Sequence, residues 1–221
     1  MSAVCTPGKR EQNKQANRAA LLEAARRCFL EMGYEAVTVR DIVRLTDLAS
    51  GTFYNYFPDK ESMFREILAV RMEDLNGKLH EVRRQAQSIE AFIRGAYLTF
   101  FRKVADEPDF FGLILRNEYA VRSLFRDTVI GVPMRALKDD IRDAIRRGVF
   151  PDTDVNLLAA AFYGTAFEIG RVLVEQPGTT PDAAAEFATT LLANGVSGLG
   201  SERATVVSFI QPARLRNLGL P

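Results

Sequence analysis

Between residues 48 and 64 the chain reads LASGTFYNYFPDKESMF, a stretch whose side chains suit recognition of a polyanion better than catalysis. Gly51 lets a backbone come close to another surface, because it carries no Cβ. Tyr54, one turn on, has a ring with a polar tip that can reach a base or a sugar. Ser50 offers a short hydroxyl at the head of the same helix. Thr52, Asn55 and Tyr56 carry short polar tips suited to phosphate oxygens, which position a protein without reading sequence. Lys60 opens the next helix and brings charge beside free backbone N–H groups, an anion site. Thr38 and Arg40, at the start of the helix before, can clamp the opposite phosphate wall. A major groove of about 12 Å admits one helix, with residues near its N-terminus facing base edges. Phe53, Phe57 and Phe64 fall at core spacing instead, and Tyr54 and Tyr56 lie off that stripe.

Chemistry of other kinds finds little support. His80 is the only histidine, and it stands in a charged helical stretch. No Cys/His metal spacing, phosphate-cradling glycine loop or nucleophile elbow occurs. Asp139, Asp140 and Asp143 read as a charged helix face. No catalytic residue, metal or cofactor is therefore expected. Cys5 and Cys28 are too few for a disulfide framework, and residues 1–15 lack the apolar segment of a signal peptide. The apolar, uncharged run 155–167 falls short of the roughly 20 residues that cross a bilayer. A cytoplasmic protein with no membrane partner is the expectation.

The elements that must hold the 48–64 stretch are helical. Apolar residues recur at a period of 3.6 almost throughout, so the fold class is all-α. The spacing predicts a first helix over about 16–32, ended by Gly33. Thr38 with Asp41 forms a capping-box pair opening a second helix. A third short helix covers about 50–56, and Asp59 caps a long fourth helix to about residue 85. Further helices are expected over 88–107, 110–115, 122–147 with a bend near 131–133, 154–175, and 181 to about 194–195. Charge is uneven along the chain. Six cations oppose two acids over residues 1–27, whereas one cation opposes six acids over 148–200. That asymmetry suits a polyanion-facing end and an end facing something else.

The string TVRDIVRLTDLASGTFYNYFPDKESMF (38–64) resembles the N-terminal DNA-binding domain of TetR-type transcriptional regulators. Beyond residue 85 only the architecture is similar. Two departures stand out: Asp47 occupies the turn where the family commonly has Gly, and Ala49-Ser50 stands where it often has Ser then Lys. The third helix is therefore expected to lack its usual side-chain cap. The resemblance implies a homodimer on a partly palindromic double-stranded operator, repressing until a small hydrophobic effector binds. Implied units are a basic arm (1–13), a helix-turn-helix domain (14–62), a ligand-binding and dimerisation domain (63–200), and a tail (201–221).

Phe92, Tyr97, Phe100, Phe101, Phe110, Phe111, Leu115 and Tyr119 form a ring-rich set expected around the effector, although each also reads as plain core. Glu118 and Glu168 either balance a cationic ligand or pair with Arg122 and Arg171 on their own helices. Arg94, Arg116 and Arg122 offer the opposite choice, an acidic head group. Phe162, Gly164, Phe167, Gly170, Phe187 and Leu191 are the candidate dimer contacts, with packing inside one subunit as the competing reading. The alternatives for the whole chain are a helical protein-interaction module, which explains the bundle but not Gly51 through Lys60, and a ligand-dependent activator.

Overall fold

The computed structural model describes residues 8–199 apart from 125–126, 128–129 and 177. The tail, the first half of the expected arm and the Ser50 side chain lie outside the described residues. Among those described there is no strand. Helices run α1 Lys9–Glu31, α2 Val39–Arg44, a 3-10 helix Ser50–Asn55, and α3 Lys60–Gln85. Then follow α4 Ile89–Asp106, α5 Pro108–Arg116, α6 Glu118–Leu124, α7 Gly131–Arg146, α8 Val155–Glu175 and α9 Pro181–Leu199.

Several bounds differ from the periodic reading, each for a physical reason. α1 starts at Lys9, well before residue 16, so residues 9–13 of the expected arm are helical. KREQNKQ is rich in good helix formers but has no apolar residue to show a period. The expected 122–147 helix is replaced by α6, starting at Glu118, and α7. Pro133 sits in the first turn of α7, where a missing N–H removes no intrahelical bond. α9 passes residues 194–195 and continues to Leu199, with Asn194 and Ser197 side chains donating to Thr190 O and Ala193 O.

The caps behave as the sequence indicates. Thr38 and Asp41 form the reciprocal box, while Asp59 and Ser88 each accept from the backbone three residues on. Thr180 accepts from Ala183 N, and Pro181 opens α9.

Two apolar clusters organise the chain. One joins the head to the body: Phe29, Ile42, Phe53, Met63 and Phe64 are fully buried and continuous with Phe110, Phe111 and Leu113 of α5. The other fills the body with Phe92, Phe101, Ile141 and Phe162 among its members. α8 is long and apolar enough, by length and composition, to cross a membrane. Here its Leu158, Ala159, Phe162, Phe167 and Gly170 face the protein interior.

The junction between head and body turns on one amide. Gly33 ends α1 with φ +84°, a left-handed conformation that favours glycine. The chain then exposes the Tyr34 N–H, and buried Asn117 accepts from it through Oδ1. Asn117 Nδ2 donates to Phe29 O at 3.1 Å and to Leu113 O at 2.7 Å. One side chain thus ties the end of α1 and its following loop to the end of α5. Asn117→Leu removes three buried hydrogen bonds and should cost about 3 kcal/mol, at about 1 kcal/mol each. Urea denaturation of the two proteins checks this, and a difference near zero would refute the junction's role.

Candidate nucleic-acid interface and effector cavity

In the head, burial sorts the 48–64 residues. Phe53 and Phe57 are buried with ring centroids 6.0 Å apart, anchoring the 3-10 helix to the core. Gly51, Tyr54 and Asn55 face outward, and Thr52 is half-buried. Ala49 stands at the N-cap with no side-chain hydrogen bond, as its substitution for a hydroxyl residue implies. The segment is wound as a 3-10 helix rather than an α-helix, with Thr52 N donating to Ala49 O at 2.8 Å. Short i to i+3 bonds satisfy the first turn where no side chain does. Before it, Thr46 Oγ1 bridges the turn, donating to Val43 O at 2.8 Å and accepting from Leu48 N.

Gly51 is informative because nothing inside the protein requires it. A Cβ built there meets no atom within 4 Å. Glycine in a helix costs about 1 kcal/mol relative to alanine, and no close packing within the protein at this position offsets that cost. Thr38, Arg40 and the unanticipated Arg44 are exposed on neighbouring α2. The Thr38 hydroxyl is already engaged, donating to Asp41 Oδ2 at 2.5 Å.

Two expected phosphate contacts have internal partners. Lys60 does not stand free at the start of α3. Its Nζ donates to Tyr34 O at 2.8 Å and Val37 O at 2.9 Å, and lies 4.5 Å from the Tyr34 ring centroid. Its reach back across the fold was invisible in sequence, where only its place at a helix start showed. Lys60 therefore positions the loop after α1. Tyr56 is half-buried, and its hydroxyl accepts from Asn17 Nδ2 at 3.3 Å.

In the body, a cavity of about 120 Å³ runs between α3, α4, α5, α6, α7 and α8, with Glu118, Val121 and Arg122 lining it from α6. Of the expected set, Phe92, Tyr97, Phe100, Phe110 and Phe111 line it. Phe101 is fully buried but packs elsewhere, Leu115 is outside the lining, and Tyr119 is 78% exposed. Tyr119 shares a short helix with buried Ala120 and Val121, and it falls on the opposite face. Sequence reading missed the α3 wall of Met72, Leu75, Leu79 and Arg83.

The dimer set divides similarly. Phe162 and Phe167 line the cavity, and Gly170 admits the Phe111 ring, whose Cζ would lie 3.0 Å from an added Cβ. These three face inward. Gly164, Phe187 and Leu191 face outward. Spacing on one helix cannot say which of its two apolar faces meets the core.

The acids in question are ion-paired. Glu118 lies 2.9 Å from both Arg122 and Arg171, and Arg171 lies 3.3 Å from Glu168. Those arginines hold the Glu118 carboxyl below its ordinary value against the opposing effect of burial. Arg94 pairs with Glu186, and Arg116 donates to Glu31 O.

Residues 21–67, which run from the middle of α1 through the first turns of α3, match the family described as bacterial regulatory proteins, tetR family. The resemblance to that family is thus shown for the head, residues 21–67. The repressor KstR2 of Rhodococcus jostii (strain RHA1) is 41% identical over 76 residues, which is 34% of this chain and 37% of that protein. The repressor AcnR of Corynebacterium glutamicum is 45% identical over 58 residues, 26% of this chain and 29% of that one. The matches thus span about a third of these TetR-family repressors. Among solved structures, the fatty acid degradation regulator FadR from Bacillus halodurans shares the fold with a TM-score of 0.67. It is 19% identical, covering 86% of this chain and 97% of that one. FadR from Bacillus subtilis, solved in complex with stearoyl-CoA, has a TM-score of 0.63 at 17% identity, covering 80% of this chain and 98% of that one. The TetR-type fold therefore extends past the matched head into the helical body.

The caps give the TetR-type head an acid limit. The Thr38 hydroxyl, and then its backbone N–H, hold the Asp41 carboxyl low. Hydrogen bonds from Ser62, its backbone N–H first, do the same to Asp59. A carboxyl that titrates lower when folded adds stability that is complete above its ordinary value and is lost as pH falls through its folded value. Urea midpoints should therefore hold near neutrality and fall below about pH 4. Asp59→Asn should flatten that acid dependence, and identical slopes for the two proteins would count against it.

Proposed function

We propose that this protein is a TetR-family transcriptional repressor that reads a partly palindromic operator as a homodimer and lets go when a small apolar ligand fills its body. Gly51 carries the reading, as an exposed glycine at the head of the reader helix that no internal packing requires. Tyr54 and Asn55 beside it supply base and sugar contacts. Exposed Arg40 and Arg44 supply phosphate contacts, together with the cations of α1. The side chains of Lys60 and Tyr56 support the reader from within.

Two copies meet through α8 and α9. Leu157, Ala160, Ala161 and Gly164 form an exposed stripe on α8 at helical spacing, and Phe187 and Leu191 are 64% and 58% exposed on α9. A Cβ at Gly164 meets open space within the protomer, so that face can receive another helix closely. Large outward apolar side chains on two long helices suit a four-helix interface. Such a protein acts in the bacterial cytoplasm and carries no catalytic step.

Release follows from the cavity's position. Its volume of about 120 Å³ is below the 300 to 1,000 Å³ usual for ligand sites, so an occupant must push the helices apart. Met72, Leu75 and Leu79 form one wall on α3, and the first turns of α3 bury Met63 and Phe64 in the head core. A ligand that moves α3 therefore moves the head. DNA must weaken ligand by the same factor that ligand weakens DNA. The lining of α4 from Phe92 to Glu107 spans roughly 22 Å at 1.5 Å per residue, which suits a long apolar chain.

The test is selection of bound fragments from a random DNA pool, followed by affinity against salt. A partly palindromic winner with a steep salt slope is expected. Tyr54→Ala should weaken binding to the winner by roughly tenfold, about 1.4 kcal/mol, with an unchanged melting temperature. No enrichment, or equal binding by the variant, would overturn this assignment.

A further inference from the structure

The apolar cavity contains a cation with an unused donor. Arg83 lines it from α3, with its side chain 12% exposed. One guanidinium nitrogen, Nη1, lies 3.3 Å from Asp140 Oδ2 on α7. The Nε–H is buried and has no hydrogen-bond partner. Asp140 cannot bring its other oxygen to that donor freely, because Oδ1 lies 2.6 Å from His80 Nδ1.

Neighbouring polar groups are accounted for differently. The Tyr97 hydroxyl donates to Phe162 O at 3.1 Å. Glu107 Oε2, the other buried polar side-chain atom without a hydrogen bond among the described residues, lies 3.4 Å from Arg71 Nε, within an ion pair. The second oxygen of Glu107 accepts from Lys103 at 2.7 Å. Arg83 therefore holds the orphan donor in a lining that also includes Leu79, Phe92, Tyr97, Leu137 and Phe162.

Building on the effector reading above, we propose that the ligand is an apolar body bearing a hydrogen-bond acceptor, a carboxylate or carbonyl oxygen, and that Arg83 Nε–H bonds this oxygen inside the cavity. A buried donor left unbonded is unfavourable, and an acceptor-bearing ligand relieves it where a pure hydrocarbon end does not. Water screens the guanidinium poorly in such surroundings, so an anionic oxygen is attracted more strongly there than at the surface. Burial pushes the Arg83 guanidinium down from its ordinary value, against the opposing effect of Asp140. The same planar group holds Asp140 on α7, so the oxygen that satisfies Nε also alters the tie between α3 and α7. Recognition of the ligand and displacement of α3 thus share one side chain.

The experiment compares two probes of equal chain length in the full chain by calorimetry at neutral pH. Dodecanoate carries acceptor oxygens, and dodecylammonium carries none. The wild-type protein should bind dodecanoate roughly tenfold more tightly, and Arg83→Met should abolish that preference. Because Arg83→Met leaves Asp140 short of a partner, the double variant Arg83→Met with Asp140→Asn removes the buried charge and serves as the folded control. Equal binding of both probes to wild type overturns the acceptor assignment while leaving an apolar effector site standing. A folded variant that keeps the wild-type preference overturns Arg83 as the partner. Binding of neither probe to wild type overturns the effector reading along with it.

Discussion

The Asn117 amide joins the helix-turn-helix head of the protein to the part that encloses the cavity. It bonds the Tyr34 N–H, the Phe29 carbonyl and the Leu113 carbonyl, so the end of α1, its loop and the end of α5 move together. Lys60 grips the same loop from the other side through Tyr34 O and Val37 O. Val37 leads directly into Thr38, the cap of α2. A continuous set of hydrogen bonds thus runs from the body through the loop to the start of the helix-turn-helix. Buried hydrogen bonds of this kind are directional, so they set an orientation that apolar packing around them would leave loose.

The apolar contacts do supply the cohesion. Phe29, Tyr34 and Phe64 pack ring against ring with centroids 4.9 to 5.7 Å apart. They belong to a cluster that includes α5 residues and Phe167 of α8. The head therefore has no core independent of the body. A shift of α3 or α5 in the body is a shift of the head's own packing, and close-packed interiors transmit such shifts rather than absorb them.

At its far end, α3 is held by charge. Asp140 is buried against Arg83 and His80, and Arg147 donates to Ala86 O at 2.7 Å and to Arg83 O at 3.2 Å. The Arg147 guanidinium thereby caps the end of α3, bonding the carbonyl of the cap residue Ala86 and sharing Arg83 O with Ala86 N. α3 is pinned at its start by the head core and at its end by α7, with the cavity along the middle. A change in the cavity between two pinned ends would have to bend or swing the helix, and so displace the head packed on its first turns.

The sequence alone determined the helical class, the capped starts at Thr38 and Asp59, and the outward set around Gly51 and Tyr54. These follow from short-range chemistry, since a cap bonds two or three residues away and a helical face repeats every 3.6 residues. Tertiary structure alone decided what Lys60, Asn117, Arg83 and Asp140 do, and which apolar face of α8 carries Phe162 and Phe167. Apart from Leu113, four residues before Asn117, the partners of those four polar residues lie 23 to 88 residues away in the chain. A lysine at a helix start, or an asparagine after an apolar run, reads the same in sequence whether it meets solvent, a phosphate or a buried carbonyl. Only the packing of α1, α3, α5 and α7 against one another supplies the partner, and with it the role.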